Sequence, residues 1–416
     1  MMKATMIGGG MTAFGRHSDR NLKSLVQEAV DNALKAAGVE KSQIQAAYVG
    51  NASQGVLQGQ ESIRGQVVLH NMGIGGIPII NVENACASSA TALNGAMAMV
   101  ALGEIDCALV VGMEKMYFDD RARVLPAFTG CMDVELLEET MRRMKESEEK
   151  ARAKVEAGQN EQIPREKSGQ RTVFMDVYAQ SARIHMEKYG TTQRQLAAVA
   201  AKNHFHSSMN PLAQYQQDYS IEEVLASPDV AYPLTRLMCS PIGDGAAAAI
   251  VCSPEFARKL GAKHSVEISS CVLGSARTDG VGDESNLTML ARKAYEQAGV
   301  GPEDISLAEV HDATAMGEIS SSESLMFCGH GEGGPFAEAG HSRLGGKLPI
   351  NVSGGLECQG HPIGATGIRQ VVELYWHLTD QAGKRQVQGA KVGLAQNAGG
   401  TTSFGEGAIS VTIMKR

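Results

Sequence analysis

Cys86 sits in Asn84-Ala-Cys86-Ala-Ser-Ser-Ala90, after an apolar stretch and at the head of an Ala-rich segment too apolar to be exposed. A thiol at the start of a helix meets the positive end of the helix dipole, which favours the thiolate and can lower its pKa from about 8.5 into the range of roughly 3.5 to 7.5. The pattern admits a nucleophile, and it equally admits a buried structural cysteine. Gly360-His361-Pro362-Ile363-Gly364-Ala365-Thr366-Gly367 puts an imidazole on a tight turn whose glycines allow close backbone approach. Brought against Cys86, His361 would serve as its base; standing alone, a histidine beside proline is an ordinary loop residue. His311-Asp312 ends a strand-like run, where an active-site imidazole is the favoured reading and a capping or core role the alternative. Gly399-Gly400, after Asn397-Ala398, could offer backbone N–H groups to a developing oxyanion, though a Gly-Gly pair by itself is a weak signal.

Elements that would hold these groups can be read from apolar periodicity. Leu22, Leu25, Val26, Ala29, Val30, Ala33, Leu34 and Ala37 fall on one helical stripe, and Gly38 supplies the stop. Ile44 and Ala46 to Val49 then read as a short buried strand. The same text recurs without a gap: Ala298-Gly299-Val300, Ile305, Ala308 and Val310 repeat Ala37-Gly38-Val39, Ile44, Ala47 and Val49. Gly50 therefore corresponds to His311, so an imidazole stands where the first copy has no side chain. Each copy continues as strand, small-residue turn, Ala- and Gly-rich helix and strand. The first runs through residues 78–82, Cys86, 87–102 and 107–112; the second runs through 348–353, His361, 366–378 and 391–396.

Such alternation predicts an α/β protein, a duplicated α/β/α layered fold whose sheets are covered on both faces. Residues 1–116 and 238–262 form the first half, 263–416 the second, and 117–237 an inserted, largely helical loop domain. Within the insertion, residues 133–154 are densely charged, with Leu136, Leu137, Met141 and Met144 on one stripe. A solvated surface helix is the expected reading, ahead of a cap over substrate.

Composition narrows the function class. A net charge of −8 and a pI near 5.8 give no attraction to phosphate backbones, so no nucleic-acid partner is expected. No signal-peptide core precedes Gly8-Gly9-Gly10 and no membrane insertion is expected, which places the protein in the cytoplasm. Eight scattered cysteines without CxxC or Cys/His ligand spacing read as free thiols, and no metal site is expected.

Asn84-Ala-Cys86-Ala-Ser-Ser, Val310-His311-Asp312-Ala313, Gly360-His361-Pro362 with its Gly364-Ala-Thr-Gly367 tail, and the glycines after Asn397 together resemble the thiolase family. His311-Asp312 is similar to the sterol-carrier-protein branch. The resemblance implies thiolytic cleavage of a 3-oxoacyl-CoA, or the reverse Claisen condensation. It makes Cys86 the acyl-accepting nucleophile, His361 its base and an oxyanion donor, and His311 the holder of the thioester oxygen. The amides of Cys86 and Gly399 would form a second oxyanion hole. His204, Asn397 and Gly364 are the expected substrate contacts. Coenzyme A is implied as substrate with no tightly bound cofactor, together with a homodimer and, as in some bacterial relatives, a small accessory subunit.

One departure bears on the reaction. The second catalytic cysteine of such enzymes would fall at Asn397 or Ala313, and neither is a cysteine. Cys358, His311, or a water between His311 and Asn397 are the candidates to move the proton, with burial in the core the plainer reading of Cys358. A decarboxylating condensing enzyme or other acyltransferase is the alternative activity. A non-catalytic acyl-CoA- or lipid-binding protein is the third reading, which the joint presence of Cys86, His311 and His361 disfavours.

Overall fold

The computed structural model describes residues 4–118, 120, 123–156, 171–279 and 284–416. Its first helix, Leu22–Ala37, starts where the Asn21 side chain accepts the Ser24 N–H and ends where Gly38 turns left-handed at φ 67°. All eight residues of the apolar stripe are buried. Eleven strands follow the chain: β1 (Ala4–Met11), β2 (Ala46–Gly50), β3 (Ile79–Val82), β4 (Cys107–Glu114), β5 (Asp229–Ala231), β6 (Leu234–Thr235), β7 (Gly245–Cys252), β8 (Val266–Gly274), β9 (Leu307–Glu309), β10 (Val392–Thr402) and β11 (Gly405–Lys415).

Nine of them run in the order β3-β2-β4-β7-β1-β8-β11-β10-β9, and β5 pairs with β6 apart. The duplication is visible in the pairing. β2 lies parallel to β4, and β4 antiparallel to β7; β9 lies parallel to β10, and β10 antiparallel to β11. A short antiparallel ladder between β1 and β8 joins the halves. Residues 348–353, expected as a strand, make only an isolated bridge between Ala308 and Ile350. Asn351 explains this: it turns left-handed at φ 54°, and its side chain accepts the Val310 N–H at 2.8 Å, replacing a ladder bond.

The helices Ser88–Leu102 and Thr366–Leu378 fill the space between the halves, sharing one core with strands of both. Their starts touch. A Cβ on Gly367 would stand 2.5 Å from the Ala90 nitrogen, and one on Gly50 would stand 2.6 Å from the Ser89 nitrogen. This contact explains the asymmetry between the copies: the helix carrying Cys86 presses on Gly50, so no side chain fits there, while His311 has room at the matching position. The helices Leu22–Ala37 and Asn286–Ala298 cover the outer faces.

Ala85–Leu102 is long and apolar enough to cross a membrane, but half of it is buried inside the fold, which makes it the core helix of this architecture. In the insertion, the helices Val173–Tyr189 and Gln193–Ser208 pack on Ala315, Met316 and Ile319 of the second half. Lys202 pairs with Glu318 at 2.7 Å there, both buried. The charged helix Leu137–Glu156 presents Met141 to solvent, and Leu136 just before it is also exposed. The side chain of Met144 lies outside the described residues. None of the described side chains of this helix lines the large cavity below, in keeping with a solvated face.

Candidate active site

The turn carrying Cys86 is held by local bonds. Ala85 sits left-handed at φ 48°, a conformation that costs a non-glycine residue about 1–3 kcal/mol. The Ser88 hydroxyl donates to the Ala85 carbonyl at 2.7 Å and accepts the Asn84 N–H at 2.9 Å. The Ala85 N–H donates to the Glu83 carboxylate at 2.7 Å. Cys86 emerges half-buried at the floor of a cavity of about 1250 Å³, which His311, His361, Ala398, Gly399 and Gly400 also line.

The three reactive side chains converge. One donor atom from each of Cys86, His311 and His361 lies within 4.8 Å of the other two. The two imidazoles meet edge to face with centroids 5.2 Å apart. The same three atoms are the group, among the described residues, that could take a soft divalent metal ion.

Hydrogen bonds assign the tautomers. The Thr366 hydroxyl donates to the Pro362 carbonyl at 3.1 Å, so toward His361 Nδ1, 2.7 Å away, it can only accept. His361 Nδ1 therefore carries the hydrogen, and Nε2 is a bare acceptor. For His311 the assignment begins at Gln370, whose amide N–H donates to the Gln396 carbonyl at 2.9 Å. Its Oε1 accepts from Asn397 Nδ2 at 3.1 Å, and the same Asn397 amide donates to His311 Nδ1 at 3.3 Å. His311 Nδ1 is thus the acceptor, and its Nε2 carries the hydrogen. One histidine is set up as a base and the other as a donor.

The electrostatics correct one expectation. Burial pushes the Cys86 thiol well above its ordinary value, helped by the neighbouring Cys131 and Glu114; only its own backbone N–H pulls the other way. Burial, then His311 and Arg369, hold His361 well below the imidazole range, and burial with Arg369 holds His311 down to about 3. These directions favour a neutral thiol beside two neutral imidazoles over a thiolate–imidazolium pair at rest.

The other residues expected at the site divide. A Cβ on Gly399 would stand 2.2 Å from the Asn84 carbonyl, so only glycine lets β10 lie against the nucleophile turn. His204 lines the cavity, with Tyr215 stacked at 6.2 Å and Tyr219 edge-on at 4.9 Å. Asn397 is buried and does not line the cavity; its work is to orient His311. Gly364 is also not brought to the cavity. Its N–H donates to the buried Glu114 carboxylate at 3.1 Å, where the two halves meet. Cys358 is fully buried in the short helix Gly355–Gln359, away from the cavity lining, and burial with Glu357 and Asp312 pushes its thiol well up.

Asp312 faces away from the chemistry. It accepts the Leu356 N–H at 2.7 Å and an Asn203 N–H at 3.0 Å, tying the strand end of His311 to the segment that leads to His361. Sequence reasoning missed Thr366 and Gln370, although Thr366 lies inside the histidine motif itself. It also missed Cys131, which lines the cavity with Cys86; no motif surrounds it. Cys86, Phe118, Phe128, Cys131 and Ile242 pack against one apolar cluster built on Leu57, Met116 and Ile363.

A duplicated layered fold with a Cys-His-His centre at the meeting of its central helices defines a class of acyl-transferring enzymes. The family models described as "Thiolase, N-terminal domain" and "Thiolase C-terminal domain-like" match residues 4–255 and 275–412, and the chain belongs to the thiolase family. It is 38% identical over 410 residues to the acetyl-CoA acetyltransferase of Methanothermobacter thermautotrophicus, covering 96% of this chain and 97% of that one. It is 36% identical over 421 residues to sterol carrier protein 2 of Bos taurus, covering 99% of this chain and 72% of that one. Among solved structures, one titled Ltp2-ChsH2(DUF35) aldolase shares the fold at TM-score 0.73 and 21% identity, covering 99% of this chain and 97% of that one. The activity is that of a thiolase-type acyltransferase.

Proposed function

We propose that this acyltransferase cleaves 3-oxoacyl-CoA thioesters, or runs the reverse Claisen condensation, through an acyl group carried on Cys86. The observation that carries this reading is the convergence of Cys86, His311 and His361 within 4.8 Å beneath one large cavity. His361 Nε2 takes the thiol proton as Cys86 Sγ attacks the 3-oxo carbon, so the costly buried thiolate need not exist at rest. The bond between the second and third carbons breaks, and its electrons pass to the thioester oxygen, which His311 Nε2–H stabilises. The α-carbon then takes up the proton that His361 received. Coenzyme A passes its thiol proton to His361 and takes the acyl group, and His361 returns that proton to the leaving Cys86 sulfur. Backbone N–H groups of Cys86 and Gly399 serve the tetrahedral oxyanion, and His204 contacts substrate farther along the cavity.

Incubation with an acyl-CoA should add one acyl mass to the Cys86 peptide, and Cys86→Ala should remove it. An adduct of equal yield on Cys86→Ala would refute the role.

The residue blocks 1–116 with 238–262, 117–237 and 263–416 are proposed as the two halves and the inserted loop domain. A homodimer is proposed on two observations. β3 ends the nine-stranded order with one edge unpaired, and its residues Ile79, Ile80 and Val82 are half-exposed. Beside it, the central helix leaves Met97 and Met99 half-exposed and Leu102 at 72% exposure. An apolar edge of this kind is a template for pairing. Sedimentation of a clean monomer at micromolar concentration would refute it. An accessory subunit is a further proposal, which draws on the DUF35 protein named beside the aldolase of the same fold.

A further inference from the structure

The cavity above Cys86 is larger and more aromatic than an acetyl group requires. Its volume, about 1250 Å³, exceeds the roughly 300–1,000 Å³ of ordinary ligand pockets. Seven of its 39 lining residues are Phe or Tyr, whereas aromatic residues make up 5% of the chain, a more than threefold enrichment. Phe118 and Phe128 line the cavity and pack against the same apolar cluster as Cys86. The polar partners of the reaction, His311, His361 and Gly399, come from the second half, whereas the first half and its insertion contribute all seven aromatic residues, together with polar side chains such as Arg16, Arg171, Gln214 and Arg236. Among the described lining residues Glu406 is the one carboxylate, against three arginines, which disfavours a cationic occupant.

We infer that the acyl group accepted by Cys86 carries an apolar ring, aryl or alicyclic, within a few atoms of its thioester carbonyl, and that Phe118 and Phe128 select it. The inference rests on the reading that Cys86 carries the acyl group. Aromatic walls favour a ring over a flexible chain of equal carbon number for two reasons. Rings stack in offset or edge-on geometry, and a rigid group loses less rotational freedom on binding. The reaction balances as in thiolysis generally: the ring-bearing 3-oxoacyl-CoA and coenzyme A give a ring-bearing acyl-CoA and acetyl-CoA. The Cys86–carbonyl bond forms as the carbon–carbon bond breaks, and no oxidant or reductant is consumed.

The test is transacylation of Cys86 in the purified full-length chain, followed by intact and peptide mass spectrometry, with acetyl-CoA, octanoyl-CoA, phenylacetyl-CoA and cyclohexylacetyl-CoA. Octanoyl and phenylacetyl have equal carbon number. Apolar pockets discriminate by about 10–200-fold for a single methylene, so both ring substrates should exceed acetyl and octanoyl by tenfold or more in kcat/KM. Phe118→Leu and Phe128→Leu should each lower the phenylacetyl-to-acetyl ratio, a quantity that does not depend on how much of a variant is folded. Octanoyl-CoA equal to or better than phenylacetyl-CoA, or acetyl-CoA fastest, would overturn the ring assignment and leave the acyl-Cys86 reading standing. A ratio unchanged in both variants would overturn the role of the two phenylalanines. No adduct from any of the four would overturn both the inference and the reading beneath it.

Discussion

Thr366→Val tests the tautomer argument with little change of shape. In the native protein the Thr366 hydroxyl accepts from His361 Nδ1 at 2.7 Å and passes its own hydrogen to the Pro362 carbonyl. Valine keeps the branched side chain and removes both bonds. The tautomer with a bare Nε2 then loses its preference, by about 1–1.5 kcal/mol for a neutral hydrogen bond. By the conversion of about 1.4 kcal/mol per tenfold, the rate of Cys86 acylation should fall roughly tenfold. Leaving the buried Nδ1–H unmet should also lower stability by about 1–3 kcal/mol. KM should move little, because Thr366 is fully buried and does not line the cavity. Rapid-quench mass spectrometry of the acyl-Cys86 adduct measures the rate, and denaturant melts measure the stability. Thr366→Ser restores the hydroxyl and should recover the rate to within about threefold of wild type. Wild-type acylation by Thr366→Val, or a serine variant as slow as the valine one, would refute the assignment of His361 Nε2 as the base.

Gly399→Ala should abolish acylation and lower the melting temperature, since its Cβ would stand 2.2 Å from a backbone carbonyl that cannot swing aside; normal turnover would show that β10 does not seat against the turn. His311 makes acid stability a second test. Its folded pKa of about 3 lies below its unfolded value of about 6.5. Below pH 6.5 the unfolded chain therefore binds a proton that the folded chain refuses, and stability is lost as pH falls toward 3. The loss at pH 4.5 is about 2–3 kcal/mol relative to neutral pH. Urea melts of wild type and His311→Asn at pH 7 and 4.5 isolate it; equal pH slopes would sink the claim. Zinc is the third test. Three donor atoms within 4.8 Å need close only modestly to meet zinc bonds of about 2.0–2.3 Å, so micromolar zinc should block acylation and a chelator should restore it. Unchanged acylation in excess zinc would mean the donors do not point at a common centre.

The apolar stripes, the helix-stopping glycines and the repeat of Ala37-Gly38-Val39 by Ala298-Gly299-Val300 are local features, and they were sufficient to reveal a duplicated α/β fold. The four motifs, through their resemblance to thiolases, likewise pointed to Cys86, His311, His361 and Gly399. Three matters needed the tertiary structure. Whether Cys86 rests as thiol or thiolate depends on how much water the cavity admits, a property of the whole surrounding surface rather than of its helix start. Which histidine is the base depends on Thr366 and on the Gln370–Asn397 pair, whose amide orientations are set by the Gln396 carbonyl and by each other. Cys358 stands three residues from His361 and faces the core, whereas Cys131, far away in sequence, lines the cavity. Spacing along a chain settles which groups share a turn; only the packing of the halves decides which of them lose water together and face one another across a site.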